Sequence, residues 1–140
     1  MEESKSTILI VDDEPFGRDT LESILEPEGY NLVMAENGYQ AIEKARDIQP
    51  DVILLDVMMP GMNGLDATHR IRQYQALRET PIVAVSAYGT DEYRGLALEA
   101  GCDEYVSTPF EPSELAELIT NMLAGGGPSH LDAQTSYPGY

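Results

Sequence analysis

Short runs of branched aliphatic residues alternate along the chain with longer stretches in which apolar residues recur every three or four positions. The first pattern suits buried strands and the second amphipathic helices, so their alternation predicts an α/β sheet of parallel strands. Five strands are expected, at about Thr7 to Val11, Leu32 to Ala35, Val52 to Asp56, Ile82 to Ser86 and Glu104 to Ser107. The third reads as the most buried, because its unbroken Val52-Ile53-Leu54-Leu55 run suits a central strand covered on both faces.

Five helices complete the alternation. Pro15, suited to an early helical position, opens the first, and Pro27 and Gly29 stop it after about Glu26. Asn37 caps the second, whose Ala41, Ala45 and Ile48 fall at i, i+4 and i+7 on one core-facing stripe. A third is expected from Leu65 to about Leu77, before Pro81. The fourth begins at the Thr90 cap, with Asp91 and Glu92 in the favourable first turn. The last, Pro112 to Leu123, presents Leu115, Leu118, Ile119 and Met122 on one side. From residue 125 the Gly-Gly-Gly-Pro-Ser composition and the loss of any apolar face predict a flexible tail or linker over 125–140, leaving one domain at 1–124.

The charge balance narrows the function classes. With 25 acidic against 8 basic residues the chain carries a net −17, which repels phosphate backbones and anionic lipid, so direct nucleic-acid or membrane binding is not expected. No apolar run approaches the length of a membrane span and the acidic Met1-Glu2-Glu3-Ser4 start is unlike a signal sequence, so a cytoplasmic location is the simplest expectation. The single cysteine, Cys102, reads as a small buried hydrophobe. His69 and His130 lack a second histidine at ligand spacing, so zinc is not expected.

Candidate chemistry gathers where strands end. Asp56 stands at the exit of the third strand, before Met58-Met59-Pro60-Gly61, and Asp12 and Asp13 stand at the exit of the first. Open α/β sheets place their sites outside the carboxyl ends of strands. If these two strands are neighbours, three carboxylates converge, and each raises the pKa of the others unless a cation neutralises them. Oxygen ligands in small number, with room for water, favour Mg²⁺ over a caged Ca²⁺. Read singly, each of these acids is also ordinary loop and cap chemistry, Ser86 an ordinary strand-end hydroxyl, and Tyr105 a half-buried strand aromatic.

An acid pair, a lone acid, Ser86 and the Thr108-Pro109 step, each at a successive strand exit, together resemble the receiver domain of two-component response regulators over about Ser6 to Leu123. That resemblance implies a flavodoxin-like, doubly wound five-stranded parallel sheet in the order 2-1-3-4-5. It implies that Asp56 is a phosphoacceptor fed by a histidine kinase or a histidine phosphotransfer protein. Asp12, Asp13, Asp56 and the Met58 carbonyl would bind Mg²⁺, with Asp12 acting mainly through water. Ser86 would hydrogen-bond the phosphoryl oxygens, and Tyr105 would change rotamer with them. The implied role is a switch, not an enzyme, with output over the fourth helix, fifth strand and fifth helix. Neither the downstream target nor the oligomeric state is specified, although a homodimer through the last helices is compatible with the pattern.

One position departs from the family. Thr108 stands where a lysine almost always precedes the proline, and the only lysines, Lys5 and Lys44, are not placed to substitute. The loss removes a charge-assisted contact worth roughly 1.5–3 kcal/mol and motivates a second reading, a receiver-like interaction module independent of phosphate. A third reading, an aspartate-nucleophile phosphatase, usually wants an Asp-x-Asp pair where this chain has Asp12-Asp13-Glu14. Met58 and Tyr88 flank the site at positions where bulky side chains would screen an acyl phosphate from water.

Overall fold

A computed structural model describes residues 5–87 and 89–125. Tyr88, His130 and nearly all of the expected tail lie outside the described residues. Five parallel strands, β1 (Thr7–Val11), β2 (Asn31–Ala35), β3 (Val52–Asp56), β4 (Ile82–Ser86) and β5 (Glu104–Ser107), form one sheet in the order β2-β1-β3-β4-β5. Between and after them run α1 (Pro15–Leu25), α2 (Gly38–Ile48), α3 (Gly64–Ile71), α4 (Asp91–Ala100) and α5 (Pro112–Leu123). The flavodoxin-like architecture is as the resemblance implies, and no strand boundary differs from expectation by more than one residue.

Alternation along the strands sorts the core into two layers. Leu9, Val11, Ile53, Leu55, Ile82 and Ala84 face α2, α3 and α4, meeting Ala41, Ala45, Ala67, Ile71 and Ala97. Ile8, Ile10, Val52, Leu54, Val83 and Val85 face the other way, onto Leu21 and Leu25 of α1 and Leu115, Ile119 and Met122 of α5. Val52, Ile53, Leu54 and Leu55 are all fully buried, each stabilising the fold by roughly 1.5–3 kcal/mol. β3 is not alone in its burial: β4 is buried through its last residue, whereas β3 opens at Asp56.

Two helical expectations need correction. Ile48 does not join the α2 stripe; it is 40% exposed, because it is the last helical residue and the chain turns into a left-handed Gln49 there. α3 stops at Ile71 instead of near Leu77, and Gln75–Leu77 form a separate 3-10 turn after an extended Tyr74. The cause is Arg72. Its guanidinium donates to the carbonyls of Leu77 (2.8 Å), Thr80 (2.7 Å) and Gly101 (2.8 Å) and to Asp103 (3.0 Å), folding the chain back around a half-buried cation. Asp103 in turn accepts from the Ile82 amide at 2.8 Å, so one side chain ties the ends of α3 and α4 to the start of β4.

The expected caps Asn37 and Thr90 are present, and Asn63, not anticipated, caps α3 in the same way. Asn37, Asn63 and Thr90 each accept from an amide three residues on. Cys102 is buried, its thiol pushed up to about 11 by that burial, with Sγ 3.6 Å from the Thr68 hydroxyl. Among the described residues no helix is long and apolar enough to cross a membrane.

Candidate functional site

Parallel pairing determines where the acids meet. Val11 of β1 sits beside Leu55 of β3, so Asp12 and Asp13 leave the sheet next to Asp56. This is where the strand order reverses, and the crevice outside the carboxyl ends opens at such a point. Carboxylate oxygens of Asp12, Asp13 and Asp56 lie within 4.8 Å of one another, all three residues partly exposed.

The local chain is built to hold them. Asp12 accepts from the Glu14 amide at 2.9 Å, and Asp56 accepts from the Met58 amide at 3.2 Å. Gly17 lies in the first turns of α1 against the Asp12 carboxylate, where a Cβ would collide with Oδ2. Gly64 begins α3 against the main-chain oxygen of Asp56, and a Cβ there would also come within 2.9 Å of the Val57 Cα. That close approach returns the β3–α3 loop to the sheet, with the Gly64 amide donating to the Val57 carbonyl at 2.9 Å.

The electrostatics follow from crowding. Burial, then the neighbouring Asp12 carboxylate, push the Asp56 carboxyl up to about 7, against the lowering effect of the Met58 amide. Burial also raises Asp12. A cluster of hard oxygen donors whose members resist ionising together suits a hard divalent cation, and these residues fit Mg²⁺ on that ground.

Ser86, at the end of β4 and 2% exposed, lines one cleft of about 310 Å³ with Asp12, Asp56 and Thr108. The Thr108 amide donates to the Ser86 carbonyl at 2.8 Å, which carries the β5–α5 loop across the cleft, and the Thr108-Pro109 peptide is cis. Among the described residues no lysine or arginine lines this cleft. Met58 follows Asp56 with its side chain 46% exposed.

Tyr105 is not beside the acids. It is 4% exposed, more buried than a half-covered strand aromatic, and packs in the core layer under α4. The Arg94 guanidinium lies 5.3 Å from its ring centroid and donates to its carbonyl at 3.2 Å. His69 is exposed, as expected.

Sequence reasoning missed Gly17, Gly64, Phe16 and Arg18. Phe16 stands 81% exposed at the cleft, and Arg18 donates to the Asp12 carbonyl at 2.7 Å. A glycine inside the first turns of a helix is costly unless something fills its side-chain space, and that cost was the available signal for Gly17.

Comparison with known proteins places the chain. The family model described as the response regulator receiver domain matches residues 8–120. The phosphate regulon transcriptional regulatory protein PhoB of Pseudomonas aeruginosa is 38% identical over 127 residues, 91% of this chain and 56% of that protein. The chain thus spans about half the length of the curated relatives it matches. A putative response regulator from Chloroflexus aurantiacus superposes with a TM-score of 0.82 at 34% identity, covering 86% of this chain and 99% of that one. The receiver domain of sensor histidine kinase PA1611 from Pseudomonas aeruginosa PAO1, whose structure has a magnesium ion coordinated in the active site cleft, gives 0.81 at 30% identity, covering 86% and 99%.

Proposed function

Since the chain belongs to the response regulator receiver domain family, we propose that Asp56 accepts a phosphoryl group from a phosphohistidine of a histidine kinase or phosphotransfer protein, with Mg²⁺ bound at Asp12, Asp13, Asp56 and the Met58 carbonyl. The observation that carries this reading is the convergence of the three carboxylates at the carboxyl edge of the sheet.

An Asp56 carboxylate oxygen attacks phosphorus, the new O–P bond forms as the P–N bond breaks, and the electron pair leaves with the donor imidazole. Mg²⁺, when held by these residues, would supply charge neutralisation for the transferring group. Asp56 reacts as the carboxylate, so its proton must be absent, and the Met58 amide at 3.2 Å stabilises that form. Ser86 donates its hydroxyl to a phosphoryl oxygen from the end of β4. Thr108 offers a second hydroxyl where the family has a cation. The output is a shift of equilibrium over α4, β5 and α5, with Tyr105 and its Arg94 partner moving together. The chain is a self-modifying switch, and whatever the longer relatives do beyond their receiver portion belongs to those proteins.

Incubation with Mg²⁺ and acetyl phosphate, followed by intact-mass measurement, tests the reading. A phosphoryl adduct lost in Asp56→Ala is expected. The absence of basic residues from the cleft favours one alternative, a phosphate-independent interaction module, and an unmodified wild-type mass would select it.

A further inference from the structure

α2 and α3 pack side by side over one face of the sheet, and a groove of about 520 Å³ lies between their outer surfaces. α2 supplies Tyr39, Ile42, Glu43 and Arg46, which fall at i, i+3, i+4 and i+7 and so share one side of the helix. Arg70 and Tyr74, at and just beyond the end of α3, form the opposite wall. Half-buried Ile42 packs on the core layer at the bottom, while Tyr39 stands 66% exposed at one end. From Tyr39 to Arg46 the helix advances two turns, roughly 10 Å, which makes the groove an open trough.

Charge sets this trough apart. Arg46 and Arg70 line it against a single acid, Glu43, in a chain of net charge −17. The acidic cleft carries Asp12, Glu14 and Asp56, and the hollow between β5 and α5 sets Arg94 against Glu104, Glu114 and Glu117. Arg46 touches the Asp47 carboxylate at 3.2 Å, an exposed pair of neighbours that is worth little. Among the described residues Arg70 has no carboxylate partner. At physiological salt, acids more than about 8 Å away are largely screened, so the local excess of guanidinium decides what settles here.

From this geometry and charge we infer that the trough docks an acidic amphipathic helix of a partner protein, whose apolar side chains cover Ile42 and the tyrosine rings and whose carboxylates meet Arg46 and Arg70. Recognition of a helix in a groove uses anchors one to two turns apart, the spacing that two turns of α2 provide. Tyrosine and arginine are also the residue types that carry much of the energy at such interfaces. A second copy fits less well, since two-fold pairing of this face would turn its arginines toward their own twins. The trough lies outside the α4, β5 and α5 surface, and the inference is independent of phosphorylation at Asp56.

The probe is a synthetic peptide of two Glu-Leu-Leu-Glu-Ala-Leu-Glu repeats, compared with the same peptide carrying glutamine for every glutamate. Titrated into the full, unphosphorylated chain at physiological salt, the acidic peptide should shift the Ile42 methyl and the Tyr39 and Tyr74 ring resonances saturably. The glutamine peptide should bind at least about fivefold more weakly. Arg46→Gln and Arg70→Gln, both at exposed positions, should each weaken the acidic peptide about fivefold with the melting temperature unchanged, and Tyr39→Ala should weaken both peptides. Equal binding of the two peptides, unaltered affinity in both arginine variants, or shifts confined to residues outside the trough would overturn the inference. Concentration-dependent shifts of the same resonances without peptide would assign the trough to a second copy and overturn it as well.

Discussion

Replacing Asp56 by asparagine removes a charge from the three-carboxylate cluster while keeping the side chain's shape, so its effect on stability measures the joint cost of burying that charge and of crowding it against the other acids. Burial and the Asp12 carboxylate raise the Asp56 carboxyl from 3.8 to about 7. Between those values the folded protein holds a proton that the unfolded chain has released. Folding stability therefore falls as pH rises through that window, and the penalty is complete above pH 7. A rise of that size corresponds to about 4 kcal/mol without screening, and solvent access to this partly exposed group reduces it to about 2 kcal/mol. Some two thirds of that, about 1–1.5 kcal/mol, develops above pH 5. Asp12 is raised chiefly by burial, which the substitution leaves in place. Urea unfolding with a chelator present should show Asp56→Asn gaining about 1–1.5 kcal/mol on wild type at pH 8 beyond its gain at pH 5, a midpoint change of roughly half a molar. Excess Mg²⁺ should narrow the pH 8 gap by binding the folded wild type. A gap of the same size at both pH values would refute the reasoning.

Gly64→Ala places a methyl group against the Asp56 carbonyl and the Val57 Cα, and overpacking against backbone should cost about 1–3 kcal/mol in chemical denaturation; a neutral result would mean that the loop yields. Gly17→Ala meets only the movable Asp12 carboxylate, so it should leave stability unchanged or raised by up to about 1 kcal/mol while weakening Mg²⁺ binding severalfold by calorimetry. Equal metal affinity would show that Asp12 does not help to hold the ion. Arg72→Ala leaves the Leu77, Thr80 and Gly101 carbonyls without their donor and should cost about 3 kcal/mol by thermal melting; a loss under about 1 kcal/mol would deny the clamp its importance. Met58→Ala should shorten the lifetime of a phosphorylated Asp56 by opening the site to water, and an unaltered decay in a radiolabel assay would count against the screening role.

The strands were legible because each is a compact apolar run bounded by polar or turn residues, and their parallel arrangement fixes which end carries the chemistry. Asp12, Asp13 and Asp56 could be grouped on condition that the first and third strands are neighbours, an order that the family resemblance implied and the β1–β3 pairing bears out. Where α3 ends was not legible, because the groups that end it are carbonyls as distant as Gly101, 29 positions from Arg72. Ile48 misled because a periodic stripe does not say where the neighbouring helix stops covering it. Tyr105 reads as a strand aromatic from its own neighbours, and only the packing of α4 over it reveals full burial. An apolar opening lined by Phe16, Leu21 and Phe110 joins α1 to the β5–α5 loop, segments just over ninety positions apart from Gly17 to Thr108, and no local pattern announces it.

Arg72 has a consequence for how shape change can spread. By joining the Gly101 carbonyl, Asp103 and, through Asp103, the Ile82 amide, it sews together the starting ends of β4 and β5. Their finishing ends carry Ser86 and Thr108. The ladder between them runs on to Ser86 and Ser107, and the Thr108 amide closes it on the Ser86 carbonyl. The two strands are thus fastened at both rims, like a plank nailed at each end, and α4, which joins them, is carried by one stiff plate.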